Sequence, residues 1–190
     1  MNRTSLIRLG GLAAMVGGLL FVAPTLLGGY FPQAYDFLPL PPMEVLLVVA
    51  LLLVPVGMVG FLALQTHSQG RIGRVGFWLA VVASLVVAFG VADYFVWGDV
   101  LQELPPVWLV WGVLGLVAGF LLYGVATLQA RVLPRWCGVA FIFTLPTALA
   151  LSGPLSFASM FIVFGLVWLT LGYALWSQRV ISGQQPSRVR

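Results

Sequence analysis

Long apolar runs alternate along the chain with short polar breaks. Six stretches, roughly residues 6–28, 44–65, 73–96, 107–129, 136–152 and 156–177, are almost wholly apolar. A helix needs about 20 apolar residues to cross the hydrocarbon of a bilayer. Each run therefore predicts a membrane-spanning helix. Residues 136–177 are too long for one span, and Ser152-Gly153-Pro154 supplies turn chemistry within them. The predicted fold is an all-α membrane protein, a six-transmembrane-helix bundle forming one domain over residues 1–178. A short basic tail, 179–190, is expected to be disordered. The fifth run is the shortest, so the alternative is a five-span chain whose fifth helix dips in and out.

Arg3 and Arg8 ahead of the first run imitate the n-region of a signal peptide. The run exceeds the usual h-region of about 7–15 residues and lacks a clean A-x-A cleavage site, which predicts an uncleaved first helix.

Composition agrees with the pattern. Hydrophobic residues make up 61% of the chain and charged ones 7%, against about a quarter in soluble domains. So few charges cannot cover a water-facing surface, and lipid must cover much of the outside. The formal charge of +4 does not predict a nucleic-acid partner, because the basic residues are scattered among short loops and tails. All nine are Arg, and the chain has no Lys. Richness in Gly, Ala, Val, Pro and Arg suggests a GC-rich genome and a bacterial source.

Charge placement orients the spans. Arg3, Arg8, Arg71, Arg74, Arg131, Arg135, Arg179, Arg188 and Arg190 fall on one side of a six-span chain. The five acids, Asp36, Glu44, Asp93, Asp99 and Glu103, fall on the other. Short Arg-bearing loops stay in the cytoplasm, so both termini are predicted there. Removing any one helix would scatter the Arg residues over both faces. Aromatic residues mark both boundaries: Tyr30, Tyr35, Tyr94, Trp97, Trp108 and Trp111 on the outer side, Trp136, Tyr173 and Trp176 on the inner.

The cytoplasmic junctions repeat. Arg8-Leu9-Gly10, Arg74-Val75-Gly76 and Arg135-Trp136-Cys137-Gly138 open the odd helices, 66 and then 61 residues apart, one helical hairpin each time. The odd helices also carry small residues four apart: Gly10, Ala14 and Gly18; Gly76, Ala80, Ser84, Ala88 and Ala92; Ala140, Thr144, Ala148 and Ser152. Gly115 and Gly119 add a GxxxG pair on the fourth helix. Such ridges let helices approach closely in lipid, and they predict a close-packed inner layer of odd helices. Pro24, Pro55 and Pro146 lie inside spans, where they shape or kink a helix.

Candidate chemistry is sparse. Asp93, about a turn inside the outer end of the third helix, leads a polar or ion site with Glu44, Asp99 and Glu103. Its plainer role is a solvated interfacial carboxylate, and Glu44 also suits the first turn of a helix. His67 is the only histidine and Cys137 the only cysteine. Zinc needs three or four ligands and a disulfide needs two thiols, so no metal or cofactor is predicted. Nucleophilic catalysis needs a base beside the nucleophile. Ser152 and Ser156 lie on the side away from His67, Ser84 is near mid-membrane, and no phosphate-binding glycine loop is present. The loop 29–43 is aromatic and proline-rich and should be stiff.

The Arg-x-Gly helix starts, Gly/Ala-rich spans and short Arg-bearing loops resemble small multi-pass bacterial membrane proteins, along the whole chain. That resemblance implies a location in the cytoplasmic membrane and no particular activity. The leading expectation is a non-enzymatic bundle acting as an interaction or accessory subunit, with membrane lipids and a membrane-protein partner or a second copy as partners. The alternative is a small transporter or permease component for an apolar or cationic solute. It needs a polar mid-membrane cavity built from groups such as Ser84, Thr144, Thr147 or Asp93.

Overall fold

The computed structural model describes residues 3–30, 42–65, 70–97, 107–152 and 157–182. Six helices account for nearly all of them and no strand occurs among them: α1 (Arg3–Tyr30), α2 (Met43–Gln65), α3 (Arg71–Trp97), α4 (Val107–Ala130), α5 (Arg135–Ser152) and α6 (Phe157–Ser182). Each covers one of the six apolar runs. Backbone amides and carbonyls have no water to bond in hydrocarbon, so an apolar run must satisfy them internally, and the helix does so. α1, α2 and α5 continue unbroken through Pro24, Pro55 and Pro146. α6 runs on through Arg179 to Ser182, into the segment expected as tail. Gln178-Arg179-Val180-Ile181 contains no helix breaker, and the sequence places Gly183 next.

Local chemistry sets the ends. Val45 and Leu46 donate to Pro42 O at 3.0 and 3.3 Å, which opens α2. α4 ends at Ala130, and Arg131 takes a left-handed conformation with φ of 51°. That geometry reverses the chain, Leu133 is buried as an anchor, and Cys137 N donates to Pro134 O at 2.9 Å as α5 begins.

Each helix packs on its neighbour in sequence, and α6 closes on α1, so the six form a ring. This replaces the expected layer of odd helices: α1 lies between α6 and α2, and α3 between α2 and α4. The reason is that small residues stand on even helices too. A Cβ on Gly10 of α1 would lie 2.4 Å from Gly60 Cα of α2, and one on Gly18 would lie 2.6 Å from Gly165 O of α6. Small residues therefore meet other small residues across odd–even seams. Contacts along the α3–α4 seam pair Gly76 with Tyr123, Ala80 with Gly119, Ala83 with Gly115 and Val87 with Gly112. Steps of three and four residues in opposite directions are the register of antiparallel helices packed side by side.

The antiparallel order collects Arg3, Arg8, Arg71, Arg74, Arg131 and Arg135 at one end of the ring. Asp93 sits near the other end, ~33 Å from Arg71 along α3 at 1.5 Å per residue.

Candidate functional site

A transport route through the ring would have to pass its interior, which has three levels. At the arginine end it is closed by polar bonds. Arg3 Nε and Nη2 donate to Ala63 O and Leu64 O at 2.8 and 3.1 Å, pinning the start of α1 to the end of α2. These carbonyls are among the last of α2, where intrahelical donors run out, and a guanidinium there also suits the helix dipole. One residue on, Gln65 is fully buried, and its Nε2 donates to Thr127 Oγ1 of α4 at 3.2 Å. Thr127 Oγ1 in turn donates to Tyr123 O at 2.9 Å. The pair joins two helices that are not ring neighbours, so it spans the interior.

The middle level is aromatic. Phe61 of α2, Phe120 and Tyr123 of α4, Phe141 of α5 and Phe164 and Trp168 of α6 interlock. Phe61 and Phe141 meet edge to face with centroids 5.2 Å apart, and Tyr123 and Phe141 do so at 5.3 Å. Phe21 of α1 meets Phe164 at 5.0 Å. These rings are buried, and their edge-to-face geometry places the positive edge of one on the negative face of the next. The axis of the ring is thereby filled with carbon at mid-height.

The third level, toward the end away from the arginines, contains a cavity of about 50 Å3 lined by side chains from all six helices, among them Phe21, Leu51, Val87, Leu116, Leu145 and Phe164. It offers no polar partner to a water, and an apolar cavity of that kind stays dry. On the outside of α3, Val82, Leu85, Val86 and Phe89 line an apolar groove of about 470 Å3.

The hydroxyls expected to line a polar cavity are used locally. Ser84 Oγ donates to Val81 O at 2.8 Å, and Thr144 Oγ1 donates to Ala140 O. Both are back-bonds to the residue's own helix. Thr147 is exposed on the outside of α5. Thr25 Oγ1 is buried and makes no hydrogen bond among the described residues.

Asp93 is half-buried, and its carboxylate makes no hydrogen bond or ion pair with another described residue. Glu44 is the second residue of α2, with its side chain outside the described residues. Asp99, Glu103 and His67 also lie outside them, as do residues 31–41 of the aromatic loop. No group of three metal-ligating side chains occurs among the described residues. Cys137 is buried on α5.

Of the small residues on α3, Gly76 and Ala80 stand at the α4 seam, where a Cβ on Gly76 would lie 2.6 Å from Tyr123 N. Ser84 and Ala88 are buried and Ala92 half-buried. Gly119 faces Ala80 at backbone distance, while Gly115 is looser, 3.2 Å from Ala83 Cβ. Nothing in the sequence marks Gln65 or Thr127 as facing the interior. A Gln directly before the loop offers no signal that it turns inward, since Gln129, at the same place on α4, is exposed.

α1, α2, α3, α4 and α6 are long and apolar enough to cross a membrane, and α5 is a shorter apolar helix. The chain is thus a helical membrane protein by length and composition of its helices. No family model, curated protein or solved structure matches it.

Proposed function

We propose that the chain is a six-span protein of the bacterial cytoplasmic membrane, with both termini in the cytoplasm, that works by interaction as an accessory subunit and not by transport or catalysis. The observation that carries this reading is the aromatic centre. Phe61, Phe120, Phe141 and Trp168 fill the axis of the ring, and the Ser84 and Thr144 hydroxyls, expected to line a polar path, are bonded to their own helices. A permeation route for a cation needs polar groups facing a wet path at mid-height. What is left for function is the outer surface, which is apolar along the helices and basic at one end.

Two features support the sixth span and the orientation. α5 has 18 residues, ~27 Å of helix at 1.5 Å per residue, close to the ~30 Å of a hydrocarbon core. The seven described arginines, Arg179 of α6 included, share one end of the ring, which under the positive-inside rule is the cytoplasmic one.

Reconstitution tests the functional part. Vesicles containing the protein and loaded with pH- and potential-sensitive dyes should leak protons and cations no faster than empty vesicles, and D93N should change nothing. A photo-crosslinker in place of Phe89, within the α3 groove, should give a discrete protein adduct in native membranes. Protein-dependent flux lost in D93N would establish the transport alternative. Lipid adducts alone at Phe89, Trp78 and Trp111 would remove the interaction reading.

A further inference from the structure

The arginine end of the ring is asymmetric in how it uses its charge. Arg3 is bonded to the carbonyls of α2. Arg71, Arg74, Arg131 and Arg135 are exposed, and their guanidinium groups make no hydrogen bond or ion pair with any described residue. They cluster because α3 packs on α4 and α4 on α5. Gly76 abuts Leu122 and Tyr123, so the first turn of α3 lies beside the last turns of α4. Arg71 and Arg74 occupy that first turn, Arg131 directly follows α4, and Arg135 is the first residue of α5. Leu133 is buried between the last two, and Pro134 O holds Cys137 N, so the loop that displays Arg131 and Arg135 is anchored. The sequence has no acid on any inner loop, since its five acids stand at positions 36, 44, 93, 99 and 103. Four guanidinium groups are therefore gathered on one sector of the rim with no acidic side chain beside them among the described residues.

We propose that this sector is a headgroup site for anionic phospholipid, with the phosphodiester held by the guanidinium groups of Arg71, Arg74, Arg131 and Arg135. A guanidinium presents a planar fork of donors that matches two phosphate oxygens, and the absence of any Lys makes every basic contact of this kind. The acyl chains of such a lipid would lie along the apolar outer faces of α3 and α5, where Val75, Trp78, Val139 and Phe143 are exposed. The proposal rests on the membrane-embedded reading above, which places this rim at a headgroup layer. Free phosphate offers the same oxygens, but it would not be retained by those apolar faces.

The test uses the full chain purified in neutral detergent, with phosphatidylglycerol or phosphatidylcholine added and lipid retention read by native mass spectrometry. The wild type should retain phosphatidylglycerol about tenfold better than phosphatidylcholine, since each basic residue near an anionic surface contributes to attraction. R71Q/R74Q and R131Q/R135Q should each lower that preference, and the quadruple variant should abolish it. R8Q, on α1 across the ring, should keep it. Replacing the four by Lys should weaken the preference without abolishing it. Unfolding midpoints in phosphatidylcholine show whether each variant is folded, and either double variant suffices if the quadruple one is not. Equal retention of both lipids by the wild type, undiminished preference in both double variants, or full displacement by glycerol phosphate would overturn the proposal. Sidedness is measured separately by labelling, so lost selectivity in a correctly inserted protein defeats this inference and leaves the bundle standing.

Discussion

Replacing Gly119 by Ala probes the seam between α3 and α4. The added Cβ would stand 2.5 Å from Ala80 N, 2.8 Å from its Cα and 2.9 Å from its Cβ. Two of those atoms are backbone, so no rotamer change relieves the clash. The helices must part by about 1 Å to restore ordinary contact, and a gap of that size forfeits a quarter to a half of the dispersion well for neighbouring pairs. Overpacking of this kind costs about 1–3 kcal/mol, against a gain of up to about 1 kcal/mol from replacing Gly in a helix. The net loss is about 1–2 kcal/mol, or about a 5- to 30-fold rise in the unfolded fraction. G28A is the control, because its Cβ would meet only Met43 Sδ, at 3.2 Å, the end of a flexible side chain. The buried thiol of Cys137, the sole cysteine, supplies the assay. Maleimide labelling in micelles, slow relative to reclosing, reads the opening equilibrium. G119A should label about 5- to 30-fold faster than the wild type and G28A no faster. Equal rates for G119A and the wild type would refute the close seam.

Other substitutions test the interior levels. F141A should lose about 3–5 kcal/mol, while F143A, on the outside of the same helix, should lose little; unfolding midpoints of the two compare them. Q65L and T127V should each destabilise by about 1 kcal/mol, and the double variant by less than their sum; additive losses in that cycle would deny the bond between them. R3A should speed amide hydrogen exchange over the last turn of α2 and leave α3 unchanged, because only the former loses its capping guanidinium.

Much of the fold was legible because the bilayer demands it. Apolar run length marks each helix within a few residues, and α6 differs most because its run of helix-compatible residues passes Arg179 without a break. Which face of each helix turns inward was not legible. Phe141 is 1% exposed and Phe143 60% exposed, two residues apart on α5. In water a polar face would separate them, but lipid and protein interior are both apolar, so the inward stripe bears no compositional mark. Ring order was hidden for a related reason. A glycine signals close approach without naming its neighbour, and Gly18 meets Gly165 of α6, far along the chain. The Gln65–Thr127 bond was hidden because it depends on helix rotation, which places Gln65 inside and Gln129 outside. The acids were conspicuous by scarcity, and Asp93 alone among them has a described side chain.

Cysteine substitutions in a C137A background, labelled with a membrane-impermeant maleimide in intact cells and again after lysis, test the account most directly. R71C and R131C should react only after lysis, and D36C, L101C and P154C should react in intact cells. Reaction of R71C or R131C in intact cells, or protection of P154C, would contradict a six-helix ring whose arginine end faces the cytoplasm.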